Sequence, residues 1–178
     1  LLIVGLAPAA HGANRTGRMF TGGRSGEWLY RALHKAGFAS RPDSSSRNDD
    51  LRLIDCAITA TCHCAPPDNK PTIEEITACR PWLTASFDIV PARVYLALGH
   101  IAWQTVVAEA RRRDWIARTG PKFGHGAIAR LGEKQWLLGS YHPSQQNTFT
   151  GKLTETMFDN VFAHAKKLLE SELVKPVV

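Results

Sequence analysis

Short apolar runs alternate with amphipathic stretches along this chain of 178 residues. Such alternation is typical of a parallel β-sheet flanked by helices. The predicted strands cover residues 1–6, 51–60, 93–98 and 135–141. The predicted helices cover residues 26–36, a stretch beginning at 72, residues 101–113 and residues 153–168. The hydrophobic pattern therefore predicts an α/β fold.

Two helix boundaries carry specific signals. Gly37 follows the first predicted helix, where a glycine commonly ends a helix in the left-handed conformation. Thr72 and Glu75 form a capping box directly after Pro71, which predicts a helix start. The polar, Gly- and Pro-containing segments 39–50 and 117–134 are predicted surface loops. With no internal repeat or linker, residues 1–178 are expected to form a single domain.

The charge balance favours a polyanionic partner. The net charge is +6 and the isoelectric point is about 9.4, although many basic proteins bind no nucleic acid. No apolar run approaches the roughly 20 residues that a membrane helix needs, so no membrane association is expected. The first residues resemble a core strand rather than a secretory leader. A cytoplasmic location is therefore expected, with a further segment preceding Leu1.

The loop after the first predicted strand, residues 5–22, is rich in small residues. Small side chains let a ligand approach backbone N–H groups, although a simple strand-to-helix turn would use the same residues. The loop lacks the Gly-Lys-Ser/Thr of a Walker A motif and the Gly-x-Gly-x-x-Gly dinucleotide fingerprint. Nucleoside triphosphate and NAD chemistry are thus disfavoured.

All four cysteines lie between residues 56 and 79. Their spacing argues against an extracellular disulfide framework and makes metal or cluster ligation worth considering. A loop and one helical turn could bring Cys64 and Cys79 together. In an extended strand Cys56 would lie too far from Cys64 for one compact site. Cys56 and Cys62 are therefore interpreted as small buried hydrophobic residues.

The loop after the last predicted strand contains His142. A lone histidine is more often structural than catalytic. However, ligands of open α/β sheets bind at the carboxyl ends of the strands, where His142 and the first loop would both lie. These positions make His142 a candidate catalytic residue.

Three segments together resemble the family 5 uracil-DNA glycosylases, the iron–sulfur type. They are Gly5-Leu6-Ala7-Pro8 to Thr21-Gly22, Cys64-Ala65-Pro66-Pro67 to Cys79-Arg80-Pro81, and His142-Pro143-Ser144-Gln145-Gln146-Asn147-Thr148. The resemblance covers nearly the whole chain. It implies a three-layer α/β/α fold with a central, mainly parallel four-stranded sheet, and monofunctional excision of uracil and related deaminated bases from DNA in base excision repair.

The resemblance implies the role of His142, and the chemistry of the side chains suggests roles for the other candidate residues. His142 would donate a hydrogen bond to the departing base, and Asn14 would orient water. Ala7, Phe20 and Asn69 would bind the base, with Phe20 as the stacking surface. The residues expected to contact DNA are Arg15, Arg18, Ser144 and Asn147, with Arg24 as a further phosphate contact.

Family members hold a [4Fe–4S] cluster that shapes the protein without taking part in catalysis. Cys64 and Cys79 correspond to two of its ligands, and the other two belong to a Cys-x-x-Cys expected upstream of Leu1. Two positions depart from the family pattern. Ala60 stands where related families have a base-reading Asn, and Gly23 where relatives have Asp.

Two other functions stay open at this stage. One is hydrolysis of a small nucleoside or nucleotide in the same crevice. The other is binding of DNA without activity. The expected partner is uracil-containing DNA, and the chain is expected to be a monomer.

Overall fold

The computed structural model describes residues 1–171. Residues 172–178 of the predicted domain lie outside this described part. The five strands are β1 (Leu2–Gly5), β2 (Ala57–Ala60), β3 (Val94–Leu98), β4 (Ile128–Leu131) and β5 (Gln135–Ser140). The helices are α1 (Ala13–Thr16), α2 (Arg24–Ala36), α3 (Ile73–Ile89), α4 (His100–Arg112), α5 (Gln145–Phe149) and α6 (Glu155–Ser171), with a 3-10 turn at Pro67–Asn69.

The strands form one sheet in the order β2-β1-β3-β5-β4. Neighbours among β1, β2, β3 and β5 pair in parallel, and β4 pairs antiparallel with β5. The predicted sheet of four strands is thereby corrected to five. Strand β4 arises within 117–134, which was predicted to be a loop. It is an edge strand in which Ile128 and Arg130 are exposed, so it lacks the apolar run that marks the buried strands.

Side chains alternate between the two faces of the sheet and build two cores. In β1, Ile3 packs into a core with Leu33 of α2 and Phe162 of α6. Its neighbour Val4 faces the other way and packs with Trp103 of α4. Alternation places successive strand residues on opposite faces, so a strand buried on both faces is apolar throughout. The α/β/α prediction is confirmed.

The two helix boundary signals are also confirmed. Gly37 adopts a φ of 84° after α2, and its N–H donates to the carbonyls of His34 and Leu33. At the start of α3, the Thr72 hydroxyl accepts from the N–H of Glu75 at 3.2 Å. The Glu75 carboxylate accepts in return from the N–H of Thr72 at 2.7 Å. Each bond satisfies a donor that the helix itself leaves free.

The predicted strand 51–60 is realised only in its second half. Residues before β2 instead pair locally with the segment that follows α2, since Leu53 bridges Ala39 and the N–H of Ile54 donates to the Phe38 carbonyl. Segment 39–50 is a loop, as predicted, although the side chain of Asp49 is almost completely buried within it. Within residues 1–171, no helix combines the length and apolar character required to cross a bilayer.

Candidate active site

A cavity of about 520 Å³ opens at the carboxyl edge of the sheet, between the loops that follow β1 and β5. Its volume falls within the range of small-molecule sites. The lining comes mainly from the loop after β1 and the loop after β5. Its residues are Leu6, Ala7, Pro8, Ala9, Gly12, Ala13, Met19, Phe20, Thr21, Gly22, Gly23, Arg24, Ser25, Gly26, Asn69, His142, Ser144, Gln145 and Gln146.

Phe20 supplies an aromatic face to this cavity. Its backbone has a φ of 62°, in the left-handed region that side-chain-bearing residues rarely adopt. Two glycines make the position possible. A Cβ on Gly5 would lie 3.2 Å from the Phe20 ring, and one on Gly26 would collide with the Phe20 carbonyl oxygen at 1.7 Å. The ring is therefore placed by close backbone packing.

His142 faces Phe20 across the same space. The two ring centroids are 5.9 Å apart and the ring planes differ by 30°. The residue keeps part of its surface exposed, but its imidazole is enclosed by protein. Burial lowers the pKa of His142 to about 4, so the ring is neutral at neutral pH. A neutral imidazole donates through one nitrogen and accepts through the other.

The loop that carries His142 is fixed by its own side chains. The Asn147 amide donates to the His142 carbonyl at 2.9 Å. The Ser144 hydroxyl caps α5 by accepting from the N–H of Asn147 at 3.3 Å. Both residues were predicted to contact DNA. The structure shows each of them bonded within the loop, and the DNA contact stays a prediction.

The residues predicted to bind the base lie in different environments. Ala7 and Asn69 line the cavity beside Phe20. Asn69 is exposed and has a φ of 55°, a conformation that asparagine tolerates better than most residues. Ala60 is buried at the end of β2, with 1% of its surface exposed, and is not part of the lining. Asn69 is thus better placed than position 60 to meet a ligand.

Asn14 does not lie among the residues that line the cavity. It is exposed on α1, while its neighbours Gly12 and Ala13 line the cavity. Water orientation by Asn14 therefore requires that its side chain turn toward the cavity. That role stays a prediction.

The three arginines near the cavity differ in what they contact. Arg18 bonds to the carboxylate of Asp49 and to backbone carbonyls of loop 39–50. Arg15 is exposed and bonds weakly to the carbonyl of His11 at 3.4 Å. Arg24 lines the cavity, and its guanidinium lies 4.4 Å from the centre of the Phe149 ring. Among the described residues, the buried Nε of Arg24 has no hydrogen-bond partner.

Comparison with known proteins assigns the family. Residues 1–166 match the family model of the uracil DNA glycosylase superfamily. The chain belongs to this superfamily. A type-5 uracil-DNA glycosylase of Mycobacterium bovis is 54% identical over 170 residues, covering 94% of this chain and 62% of the relative. A type-5 enzyme of Thermus thermophilus is 48% identical over 169 residues, covering 94% and 75%.

A type-5 uracil-DNA glycosylase of Pyrobaculum aerophilum is 40% identical over 165 residues, covering 93% of this chain and 70% of the relative. The resemblance to family 5 is thereby confirmed, and the chain is a type-5 member of the superfamily. It spans about three fifths of the Mycobacterium bovis protein's length.

Three thiols of this glycosylase-superfamily chain belong to α3 or to the segment between β2 and α3, and the fourth, that of Cys56, precedes β2. Cys62 is buried, as predicted, with 2% of its surface exposed. Burial, followed by the neighbouring Cys79, raises the pKa of Cys62 to about 12. Cys64 is exposed and Cys79 half-buried, while Cys56 is half-buried elsewhere. Sequence spacing gave no sign that Cys62 would adjoin Cys79, because that contact depends on how the chain turns after β2.

A [4Fe–4S] cluster requires four ligands, usually thiolates. Within residues 1–171, no group of three or more His, Cys, Asp or Glu side chains is arranged to hold a metal ion. The described residues therefore do not fit such a cluster by themselves. No step of the reaction is assigned to one.

Two residues that support the site gave no recognisable sequence signal. His125, in a segment predicted to be a loop, accepts at Nδ1 from the N–H of Tyr141, the residue before His142, at 3.2 Å. Asp49 bonds to Arg18, two residues before Phe20. Both contacts span long sequence separations, so periodicity and local motifs could not predict them.

Proposed function

We propose that this chain excises uracil and related deaminated bases from DNA by hydrolysing the N-glycosidic bond, which initiates base excision repair. One observation carries the proposal. In a chain of the uracil DNA glycosylase superfamily, an aromatic ring and a neutral imidazole face each other in a cavity at the carboxyl edge of the sheet. Stacking and a directional donor are the two features that a flipped base requires.

Base binding follows from the cavity walls. A glycosylase rotates its target nucleotide out of the duplex, which costs a few kcal/mol, and holds the base in a pocket. Phe20 offers the stacking face, and the small side chain of Ala7 leaves room for the base beside the backbone. Asn69 can donate and accept through its amide, so it is our candidate for reading the polar edge of the base.

His142 is the proposed catalytic residue. When the N-glycosidic bond breaks, its electron pair leaves with the base, and the sugar becomes electron-poor at C1′. The oxygen of water then bonds to C1′, and one proton of that water is released. A neutral His142 N–H directed at O2 of the departing base would stabilise the developing anion before any rearrangement is needed.

Within residues 1–171, the cavity offers no strong base to activate water. Among the described residues that line the cavity, none is Asp or Glu. Asn14 is proposed to orient water through its amide oxygen, which is too weakly basic to remove the proton. The rate should therefore depend mainly on stabilisation of the leaving base.

DNA binding is proposed to use the rim of the cavity. A net charge of +6 favours a phosphate backbone. Arg24 is well placed to meet a phosphate, since its guanidinium lies at the cavity rim over an exposed Phe149. Arg15 is a further candidate, together with Ser144 of the His142 loop, whereas the Asn147 amide bonds to the His142 carbonyl and is taken to position that residue. The proposed partner is uracil-containing DNA.

The cofactor proposal concerns Cys64 and Cys79. We propose them as two of the four ligands of a [4Fe–4S] cluster, on the basis of the type-5 relationship. The other two thiolates would come from outside the residues described. The cluster would have a structural role.

Single-turnover release of uracil from a DNA oligonucleotide, detected by alkaline cleavage of the abasic site, tests the function. We expect His142→Ala and Asn14→Ala each to lower the rate by about tenfold or more. His164→Ala is a matched control, because His164 is exposed on α6. Folded wild-type protein that binds duplex DNA but releases no base would contradict the proposal and support a binding-only role.

Salt separates the proposal from hydrolysis of a small nucleoside. Binding through several phosphates weakens steeply as salt concentration rises, whereas binding of an uncharged nucleoside does not. Uracil release that is insensitive to salt and proceeds equally well from free deoxyuridine would favour the nucleoside hydrolase.

A further inference from the structure

The left-handed backbone of Phe20 must be held from outside. A side-chain-bearing residue persists at a φ of 62° only where its surroundings fix it. On one side, the Tyr30 hydroxyl of α2 donates to the carbonyl of Met19 at 2.7 Å. Gly26 packs directly against the Phe20 carbonyl. The other side is held by loop 39–50.

Arg18 connects the Phe20 segment to that loop. One terminal nitrogen of its guanidinium donates to a carboxylate oxygen of Asp49, to the Ser44 hydroxyl at 3.2 Å and to the Ser46 carbonyl at 3.0 Å. The other terminal nitrogen donates to the Arg47 carbonyl at 2.9 Å. Four bonds to one loop direct this guanidinium into the protein.

Asp49 is the centre of the connection. Its side chain is 4% exposed, and its carboxylate also accepts from the N–H groups of Ser45 at 2.8 Å, Ser46 at 3.1 Å and Leu51 at 3.2 Å. Burial alone would raise the pKa of Asp49. The Arg18 guanidinium and the backbone donors outweigh burial and hold that pKa well below its usual range. The carboxylate therefore stays charged and organises the whole loop.

Ser44 joins the same loop to the far side of Phe20. Its hydroxyl lies 2.8 Å from the Thr21 hydroxyl, and its carbonyl accepts from the N–H of Gly22 at 3.2 Å. Loop 39–50 is thus hydrogen-bonded to the chain on both sides of Phe20, at Arg18 before it and at Thr21 and Gly22 after it.

We propose that Asp49 is a positioning residue, which acts through Arg18 to hold the ring of Phe20 in place for a flipped base. Ser44 holds the other side of Phe20 through its bonds to Thr21 and Gly22. The inference rests on the proposed base excision, because it assigns Phe20 its stacking role. It also gives Arg18 an inward structural task in place of the phosphate contact expected from the sequence.

The test compares two affinities of each variant. One duplex carries 2′-fluoro-deoxyuridine, whose electron-withdrawing fluorine disfavours cleavage, and the other carries only undamaged bases. Asp49→Asn and Arg18→Met should each lower the preference for the uracil duplex by about fivefold or more, the loss expected for one weakened base stack. Affinity for the undamaged duplex should change little, because phosphate contacts are untouched.

A double variant tests whether Asp49 acts through Arg18. If Asp49 acts through Arg18, the double variant Arg18→Met/Asp49→Asn should lose no more preference than Arg18→Met alone. If Arg18 instead contacts phosphate, Arg18→Met should weaken binding of both duplexes alike, and Asp49→Asn should not share that effect. That pattern would overturn the proposal.

Arg41→Met is the matched control. Arg41 bonds to the Asp49 carbonyl and the Asp43 carboxylate within the same loop. Its loss should lower thermal stability while leaving the uracil preference intact. An equal loss of preference in Arg41→Met would show that any damage to the loop suffices, which would contradict a specific role for Asp49.

Ser44→Ala keeps the question answerable if Asp49→Asn does not fold. This substitution removes only hydroxyl contacts, so we expect a smaller loss of preference in the same direction. No loss of preference would contradict the role proposed for loop 39–50.

Failure of the proposed function would give a different result. If wild-type protein shows no preference for the uracil duplex, the proposed function itself is wrong. If Asp49→Asn and Arg18→Met retain the preference of wild type, only the positioning role is wrong.

Discussion

The rings of Phe20 and His142 lie with their centroids 5.9 Å apart, although the two residues are far apart in sequence. The first ring follows β1 and the second follows β5, and β3 lies between these strands in the sheet. Parallel strands end at a common edge, so the two loops converge there. A base that stacks on Phe20 would therefore share its cavity with His142.

Replacement of Phe20 by leucine should weaken binding of a flipped base. Leucine fills similar space but lacks an aromatic face, and stacking of one base is worth roughly 1–3 kcal/mol. We expect affinity for a 2′-fluoro-deoxyuridine duplex to fall by about 5- to 150-fold in a fluorescence anisotropy titration. The control is Phe87→Leu on the buried side of α3, which should lower thermal stability and leave the affinity unchanged. Equal affinities of Phe20→Leu and wild type would remove the stacking role.

Stability should depend on pH through His142. Its pKa is about 4 in the folded protein against 6.5 for a free imidazole, so between these values the unfolded chain binds the additional proton. The stabilising contribution is therefore complete above pH 6.5 and is lost as the pH falls toward 4. The full shift corresponds to about 3 kcal/mol.

Urea unfolding at pH 7 and pH 5 measures this effect in wild type and His142→Gln. The pKa values of His63 and His125 are also lowered by burial, but both residues remain in the variant. The difference between the two proteins therefore isolates His142. Wild type should lose more stability between the two pH values than the variant does, and parallel losses would mean that His142 titrates normally.

Arg24 should contribute one phosphate contact. Its methionine variant should bind duplex DNA more weakly, and the slope of log affinity against log salt should become shallower by about one. Arg31→Met is the control on the same helix, because Arg31 is already paired with Asp159 at 2.6 Å. An unchanged slope in Arg24→Met would assign Arg24 to packing against Phe149.

Asn147 should act on the position of His142. Without its amide, the His142 carbonyl loses a 2.9 Å hydrogen bond, and the donor ring is held less accurately. We expect Asn147→Ala to lower the single-turnover rate by about tenfold while affinity for undamaged duplex stays within about twofold. Thr148→Ala, on the same short helix, should do neither, since the Thr148 hydroxyl bonds to the Gln145 carbonyl within that helix. A fall in DNA affinity with an unchanged rate would instead support the DNA contact predicted from the sequence.

Local signals in the sequence were sufficient for the central sheet. The buried strands β1 and β3 and the middle of β5 are apolar runs, and the start of α3 is encoded by Thr72 and Glu75. Edge strand β4 escaped prediction because one side of it faces solvent and its residues show no apolar run. The predicted strand 51–60 was too long. Leu53 does not belong to the sheet, and its apolar side chain packs against the core from the segment before β2.

The sequence by itself determined the α/β fold, the family, and the presence of Phe20, Asn69 and His142 in loops at the carboxyl ends of strands. These features depend on neighbouring residues and on short motifs, so they can be recognised along the chain. Tertiary structure decided which side chains meet. It turned Arg18 inward to Asp49, placed Cys62 beside Cys79 and left Asn14 exposed on α1. Such contacts arise only when distant loops pack together, and the free energy of that packing has no local signature in sequence.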